Sequence, residues 1–389
     1  ALPGNAKLHP LQEPEASQGA LELMWNLQEA LAEIAGLPHV SLQPSAGSHG
    51  ELAGLLLTRA YHEDRGEVRH KVLTPDTAHG TNPATVTMAG YEVVKVGTSP
   101  EGGVDLDDLR AKADDEVACL MLTNPNTLGL FDPNIEEIAA IVHGAGATLY
   151  YDGANLNAVM GVTRPGDMGF DIVHFNLHKT FTTPHGGGGP GAGPIAVSAR
   201  VEPYLMTPRI VRVEDRFDLD HDQPKAIGRL RGFQGNYGTF VRAYAYICSL
   251  GADGLAEASE VAVLNANYLK ARLAEVAGEH LPPAYERACG HEFCLSGAPM
   301  KRALGISTLD LAKRLLDHGY HPPTVYFPLL VEEALLFEPT ETETKETIDA
   351  FARAIAAILA EAAADPEVAR TAPHTTPLRR LDEAGAARR

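Results

Sequence analysis

The sequence has 389 residues, of which 44% are apolar, enough for a large domain and a smaller one with buried cores. Lys and Arg number 32 against 51 Asp and Glu, and the net charge of −19 argues against nucleic-acid binding, because phosphate contacts need clustered positive charge. No apolar run approaches the roughly 20 residues that span a bilayer, and residues 1–10 lack the apolar segment of a signal peptide.

The first half of the chain alternates between helical and strand patterns. Leu21, Met24 and Leu27 recur at helical spacing, which predicts a helix over residues 18–36 that ends at Gly36. Short apolar strands are predicted at residues 40–42, 71–74, 91–96, 117–123, 147–151 and 172–175. Strands that alternate with helices indicate crossover connections, so we expect an α/β fold with a mostly parallel sheet and its chemistry at the carboxyl ends of the strands.

The pattern changes after residue 235. Long helices are predicted over 236–250 and 254–277, followed by strands near 292–294 and 335–337 and helices over 307–318 and 343–363. The predicted organisation is an N-terminal arm and helix (1–39), a large domain (40–250), a smaller α+β domain (251–364) and a polar tail (365–389) on the surface or on a partner.

The four cysteines do not make a disulfide scaffold, so a reducing cytoplasm is expected. Cys289 and Cys294 flank His291, but their spacing fits no standard zinc pattern and no second pair follows. We therefore expect no metal site.

Two turns after predicted strands carry candidate cofactor ligands. Residues 45–48 (Ser-Ala-Gly-Ser) lie between a strand and a helix, where the backbone of Gly47 and Ser48 could bind a phosphate; the alternative is a tight turn with Ser48 as helix cap. His79, in the turn after the next strand, could stack on a planar cofactor or lie on the surface as an ordinary loop histidine.

Two later strand ends carry an acid and a lysine. Asp152 could pair with a heterocyclic nitrogen and keep it protonated, or could cap the following segment. Lys179 follows an apolar strand and His178 and precedes Thr180, a setting suited to a Schiff-base lysine; the alternative is a surface lysine. Four glycines at 186–189 follow, and their entropy cost indicates a close backbone approach or a hinge rather than a linker.

The order of these elements is more specific than any one of them. A phosphate turn, a stacking histidine, an acid at a strand end and then a lysine follow one another along the chain. This is the order found in fold-type I enzymes that use pyridoxal 5′-phosphate (PLP). We therefore predict such an enzyme, with a large domain built on a mostly parallel sheet and a smaller α+β domain.

The sequence resembles the glycine decarboxylase P-protein of the glycine cleavage system from about Leu8 to Leu381. The resemblance is carried by residues 78–84 (AHGTNPA), 152–155 (DGAN), 164–167 (RPGD), 178–181 (HKTF), 185–191 (HGGGGPG) and 338–343 (EPTETE). Residues 123–129 (TNPNTLG) and the chain length resemble the PLP-bearing subunit 2 (beta) of the two-subunit bacterial form.

This resemblance implies an activity and its participants. The activity is that of an oxidoreductase that acts on the CH–NH2 group of glycine with a disulfide acceptor, releasing CO2 and passing the aminomethyl group to the lipoyl arm of H-protein. The implied partners are glycine, lipoylated H-protein and subunit 1 (alpha) in an α2β2 heterotetramer in the cytoplasm, without nucleic acid or membrane.

The resemblance also implies roles for the site residues. Lys179 carries PLP, Asp152 keeps the pyridine nitrogen protonated and His79 stacks on the ring. Gly47 and Ser48 bind the phosphate, with His178 and Thr180 beside it. Asn124 would bond the phenolic oxygen of the cofactor; its alternative role is to form the turn at Asn-Pro.

Other functions stay open at this point. A different fold-type I amino-acid decarboxylase or a cysteine desulfurase is possible from fold alone, although neither has the four-glycine block. A non-catalytic partner subunit is a further alternative, against which Lys179 argues. A plain binding module would leave the residues at the strand ends unexplained.

Overall fold

In the computed structural model, which describes residues 4–184 and 191–388, the predicted α/β fold is confirmed. The chain divides into two compact units, Ala1–Asn126 with Asp132–Ser259, and Thr127–Phe131 with Glu260–Arg389. The domain boundary predicted near Gly251 coincides instead with an interruption of a long helix, where Gly251 has φ 66°. Among the residues that the structure describes, none of the helices has the combined length and apolar character of a membrane-spanning segment.

The first unit is built on a seven-stranded sheet with the order β1-β7-β6-β5-β4-β2-β3. Its strands are β1 (His39–Ser41), β2 (Lys71–Pro75), β3 (Glu92–Val96), β4 (Val117–Leu122), β5 (Thr148–Gly153), β6 (Ile172–Phe175) and β7 (Ile195–Val197). A separate hairpin pairs β8 (Arg209–Val213) with β9 (Arg216–Asp220). All residues of β4 and β5 are buried, as expected for a sheet covered by helices on both faces.

The directions of the strands decide which turns share an edge. β2 to β6 pair in parallel along the sheet, whereas β7 is antiparallel to both β6 and β1. β1 therefore points the same way as β6. The carboxyl ends of β1, β2, β4, β5 and β6 consequently lie at one edge, which is where polar site residues of such sheets collect.

The following helices begin in the first unit, and the last of them continues past Ser259 into the second unit. They are α1 (Gln18–Ala35), α2 (Gly47–Asp64), α3 (Thr81–Met88), α4 (Leu106–Lys112), α5 (Ile135–Gly144), α6 (Leu177–Thr180) and α7 (Tyr237–Ala277). Short 3-10 turns lie at Asn5–Lys7, Pro14–Ala16, Leu156–Ala158 and Glu202–Tyr204. The predicted end of α1 is confirmed, because Gly36 adopts the left-handed conformation that closes a helix.

The second unit is α+β, as predicted. A three-stranded antiparallel sheet has the order β10-β12-β11, formed by β10 (Phe293–Ser296), β11 (Thr324–Val325) and β12 (Ala334–Phe337). Its helices are α8 (Ala298–Leu304), α9 (Thr308–Asp317), α10 (Lys345–Ala364), α11 (Glu367–Arg370) and α12 (Glu383–Ala387). Phe293, Phe337 and Ile355 belong to the apolar core of this unit.

The C-terminal segment is largely exposed, but several of its residues are anchored to the second unit. Ala369 and Ala372 are buried, and Arg380 Nη2 donates to Asp310 Oδ1 at 2.6 Å. The Asp317 carboxylate accepts from the backbone N–H groups of residues 374 and 375. These contacts make residues up to 380 part of the folded second unit, which the polar composition of the segment did not reveal.

Candidate active site

Asp152 is a buried carboxylate at the carboxyl edge of the sheet. It lies near the end of β5, only 3% of its surface is exposed, and Asn82 Nδ2 donates to its Oδ2 at 2.9 Å. The Ala154 N–H donates to Oδ1 at 3.0 Å, and His174 Nε2 lies 3.4 Å from the same oxygen. Asp152 thus contacts three groups, and the sequence had indicated neither Asn82 nor His174 among them.

The surroundings of Asp152 keep it ionised. Burial by itself would raise the pKa of its carboxyl, but the nearby His174, the hydrogen bonds from Asn82 and Ala154 and the charge of Lys179 outweigh burial and lower it. A buried carboxylate that remains charged is the group needed to hold a proton on a heterocyclic nitrogen. The hydrogen bond from the Ala154 N–H is what the suggested capping role of Asp152 would produce. Capping does not explain the contacts of Asp152 with Asn82 and His174.

Lys179 lies on the short helix α6, which begins directly after β6. Its backbone N–H and that of Thr180 both donate to the carbonyl oxygen of Asn176, at 2.9 and 3.0 Å, and this turn directs the chain away from the strand end. The Lys179 side chain is exposed, whereas Thr180 is 4% exposed. His178 is half-buried, and its Nδ1 accepts from the Ala192 N–H at 3.4 Å.

The turn before α2 can bind an anion at the same edge. The N-cap of α2 is Ala46, whose side chain makes no capping bond, so the suggested cap role of Ser48 is wrong: Ser48 is exposed within the first turn. Gly193 packs against this turn so closely that a Cβ on it would lie 2.0 Å from the Ala46 oxygen. Uncapped N–H groups at the start of an 18-residue helix suit a phosphate.

His79 and Asn124 lie in the turns after β2 and β4. His79 is exposed, and its Nδ1 is 3.0 Å from Thr81 Oγ1, which in turn donates to the buried Glu51. Asn124 is fully buried, and its Oδ1 accepts from the Asp132 N–H at 2.9 Å. A structural role in this loop therefore explains the hydrogen bond of Asn124 Oδ1, but it leaves the buried Asn124 Nδ2 without a partner.

Buried polar atoms without partners test whether these residues fit a polar cofactor. Within the described residues, Asn82 Oδ1, Asn124 Nδ2, Thr180 Oγ1 and Thr183 Oγ1 are buried without a hydrogen-bond partner. Such atoms are costly unless something else satisfies them. All four belong to segments that follow strands at the carboxyl edge, so they fit a cofactor rich in hydrogen-bonding atoms. Thr183 was not indicated by the sequence.

Other sequence features stand apart from this group. The glycine run at 186–189 lies outside the described residues. Cys289 and Cys294 are buried, and burial raises the pKa of their thiols to about 11 and about 12. His291 lies beside Glu292 and Glu338, with ligand atoms within 4.8 Å of one another, so the second unit does hold a group of metal-ligating types that the cysteine spacing had not indicated.

The parallel sheet, with an acid and a lysine at the ends of adjacent strands, defines the class of fold-type I PLP-dependent enzymes. The family model of the glycine cleavage system P-protein matches residues 6–218, and that of the glycine dehydrogenase C-terminal domain matches residues 258–380. The chain belongs to the glycine cleavage system P-protein family, which confirms the resemblance.

Individual relatives agree with this assignment. The chain is 56% identical over 389 residues to the probable glycine dehydrogenase (decarboxylating) subunit 2 of Caldanaerobacter subterraneus subsp. tengcongensis, which covers 100% of this chain and 79% of that protein. It is 58% identical over 387 residues to the protein of the same name in Bacillus thuringiensis, and the match covers 99% of this chain and 78% of that protein.

Solved structures share the fold. An inhibitor-bound glycine decarboxylase (P-protein) superimposes with a TM-score of 0.77 at 24% identity, covering 90% of this chain and 79% of that one. The cysteine desulfurase of Thermococcus onnurineus gives a TM-score of 0.68 at 18% identity, and the match covers 89% of this chain and 86% of that one.

Proposed function

We propose that this chain is the PLP-bearing chain of a glycine decarboxylase that releases CO2 from glycine and passes the aminomethyl group to a lipoyl arm. The ionised, buried Asp152 beside Lys179 carries the proposal. The names of relatives 56% and 58% identical to this chain support glycine as the substrate.

The described residues provide a partner for each part of the cofactor. Lys179 would hold PLP covalently through its amine, and Asp152 would face the ring nitrogen. His79 would stack on the ring, and Asn124 Nδ2 would donate to the phenolic oxygen. The first N–H groups of α2 at Gly47 and Ser48 would bind the phosphate, with His178 and Thr180 beside it. When bound, PLP supplies an electron sink for the pair of electrons left by the departing carboxyl group.

The residues of the chain contribute charge and position. Because Asp152 stays ionised, it can keep a proton on the ring nitrogen, and that positive charge is what draws electrons away from the reacting carbon. Lys179 is exposed, so the aldehyde of the cofactor could reach its amine, and the amino group of glycine could approach the same carbon and displace the lysine.

The sulfur chemistry needs no thiol of this chain. The aminomethyl carbon bonds to one lipoyl sulfur, the lipoyl S–S bond breaks, and the second sulfur leaves as a thiol, so the disulfide is reduced as glycine is oxidised. In agreement, Cys119, Cys289 and Cys294 are buried, and burial raises the pKa of each thiol, which makes them poor nucleophiles. Cys248 is exposed.

The partners follow from the same proposal. Relatives carry the name subunit 2, which supports a second, different subunit. We propose an α2β2 assembly with subunit 1 in the cytoplasm, with lipoylated H-protein as the transient acceptor.

The test uses the chain co-expressed with a subunit 1 and supplied with PLP and lipoylated H-protein. The expected result is exchange of labelled bicarbonate into the carboxyl group of glycine and a visible absorption band from the lysine-bound cofactor. L-Cysteine is the comparison substrate. Release of sulfide and alanine from cysteine without exchange into glycine would replace the proposal with a desulfurase, and absence of the band would exclude a PLP enzyme.

A further inference from the structure

Glu51 is a buried carboxylate to which the proposed function assigns no role. It lies on α2 with 3% of its surface exposed. Thr81 Oγ1 donates to its Oε1 at 2.8 Å, and Thr85 Oγ1 donates to its Oε2 at 3.0 Å. Both threonines belong to α3, which packs against α2. One carboxylate therefore accepts hydrogen bonds from two successive turns of the neighbouring helix.

A carboxylate is a costly way to join two helices. Removing a charge from water carries a large penalty, and an apolar residue of similar size often packs in its place without loss of stability. The two hydroxyl donors offset part of this penalty. The carboxylate provides what an apolar side chain could not, which is an acceptor that fixes the direction of a hydroxyl group.

Helix α2 gives Glu51 a fixed position on the sheet. The nearby Gly50 and Gly54 lie so close to β6 and β5 that an added Cβ would overlap with His174 and Tyr150, respectively. Glycine is unfavourable inside a helix, so α2 gives up helix propensity for this close approach. The approach leaves α2 little room to shift, and Glu51 is therefore a fixed reference point for α3.

The turn of α3 that contacts Glu51 also reaches the candidate active site. Asn82, next to Thr81, is fully buried and donates through its Nδ2 to Asp152 Oδ2 at 2.9 Å. His79 precedes Thr81 by two residues, and its ring is exposed, so burial does not fix its orientation. The start of α3 thus carries one group that contacts Asp152, and beside it lies His79, the residue proposed to stack on the cofactor.

Thr81 can hold the ring of His79 whether or not Nδ1 carries a proton. His79 Nδ1 lies 3.0 Å from Thr81 Oγ1 and 3.2 Å from the Thr81 backbone nitrogen. The single hydroxyl proton of Thr81 is donated to Glu51, so Oγ1 faces His79 as an acceptor. A protonated Nδ1 can donate to Oγ1, and an unprotonated Nδ1 can accept from the Thr81 N–H. The first contact depends on Glu51, because Glu51 directs the hydroxyl proton away from His79.

We propose that Glu51, acting through Thr81, is a positioning residue that holds the His79 ring in the orientation in which it stacks on the cofactor. The inference rests on the proposed function and extends it to a residue that need not touch substrate or cofactor. Thr85, on the second carboxylate oxygen, keeps Oε1 aimed at Thr81. The alternative is that Glu51 only joins α2 to α3, which would affect stability but not the cofactor.

Two substitutions break the link at different points. Glu51→Met keeps the length of the side chain and removes both acceptors, and Thr81→Val removes the hydroxyl and keeps the branched shape. One hydrogen bond corresponds to roughly threefold to tenfold in an equilibrium constant. We expect each variant to bind PLP more weakly by that factor and to show weaker circular dichroism in the visible band of the lysine-bound cofactor, because a ring that is not held must be ordered on binding. Thr81→Ser keeps the hydroxyl and should stay within about twofold of wild type.

Thr58→Val is the matched control on α2. Thr58 is fully buried, and its Oγ1 lies 3.0 Å from Thr148 Oγ1, so its hydrogen bond joins α2 to β5 rather than to α3. The control should lower stability about as much as Thr81→Val does but change PLP affinity by less than about twofold. Stability is measured by urea unfolding of the full chain, followed by the fluorescence of Trp25.

A double substitution tests whether Glu51 acts through His79. PLP affinity and the circular dichroism of the band, both without glycine, are compared for Glu51→Met, His79→Ala and the two together. Glu51→Met should weaken PLP binding when His79 is present and change it by less than about twofold when His79 is already replaced by alanine. Equal effects of Glu51→Met in both backgrounds, or a Glu51→Met variant that binds PLP as Thr58→Val does, would show that Glu51 is only structural.

Each remaining outcome also decides between the two views. If Glu51→Met does not fold, Thr81→Val replaces it in the same comparison with His79→Ala. If His79→Ala keeps the PLP affinity and the band of wild type, His79 does not stack on the cofactor and the inference is wrong, while the proposed function stands. A wild-type protein without the band would instead refute the proposed function.

Discussion

Replacing Asp152 by asparagine changes a single buried charge and keeps the shape of the side chain. The carboxylate accepts from Asn82 Nδ2 at 2.9 Å and from the Ala154 N–H at 3.0 Å on different oxygens. An amide has one oxygen, so its NH2 group must face one of these donors. Losing one bond to a charged acceptor and burying an unpaired donor should lower the free energy of unfolding by about 2–3 kcal/mol.

The pH dependence of this difference follows from the lowered pKa of Asp152. The ordinary value is 3.8 and the folded value is lower, so the stabilisation by the carboxylate is fully present above about pH 3.8 and is lost as the pH falls through the folded pKa. The difference in free energy of unfolding between wild type and Asp152→Asn should therefore be constant between pH 5 and 8. The single tryptophan, Trp25, reports urea unfolding of the first unit, which contains Asp152.

The matched control is Asp171→Asn, at the opposite end of the same two strands. Asp171 is 4% exposed and accepts from the Leu149 N–H at 2.9 Å and from Ser198 Oγ at 3.2 Å, with Arg200 Nη1 3.4 Å away, so the stability loss should be at least as large. Asp152→Asn should keep PLP bound but lose several orders of magnitude in glycine carboxyl exchange, at about 1.4 kcal/mol per factor of ten, whereas Asp171→Asn should lose little. Near-wild-type exchange in Asp152→Asn, or equal losses in both variants, would show that Asp152 is only structural.

Further predictions concern Lys179 and the glycines of α2. Lys179→Ala should abolish the visible cofactor band and turnover without unfolding the protein, and borohydride reduction should label Lys179; a label on Lys225 would contradict the assignment. Gly54→Ala should lower the free energy of unfolding by about 1–3 kcal/mol because its Cβ would lie 2.3 Å from Tyr150, measured by urea unfolding. Gly19→Ala, on α1 with nothing within 4 Å, should instead raise it by about 0.5–1 kcal/mol, and equal effects of the two substitutions would contradict the packing argument.

Apolar periodicity determined much of this fold in advance. The strand predicted at residues 172–175 and the helix predicted from residue 18 to Gly36 match β6 and α1 closely, because an unbroken apolar run and a helical repeat are local properties of the sequence. Since parallel strands end at one edge, the sequence also placed Asp152 and Lys179 close together. The short β7 and the exposed hairpin of β8 and β9 were not predicted, because brief or half-exposed strands carry little periodic signal.

The partners of Asp152 could be decided only by the tertiary structure. Asn82 and His174 come from two separate segments, and nothing in their local sequence marks them as neighbours of Asp152. Asp152 meets His174 because β5 and β6 pair in one register, and a shift by one residue would turn His174 to the other face of the sheet. Register depends on the packing of whole elements, so the sequence identified the acid and the lysine, whereas the fold selected the groups that hold the acid in place.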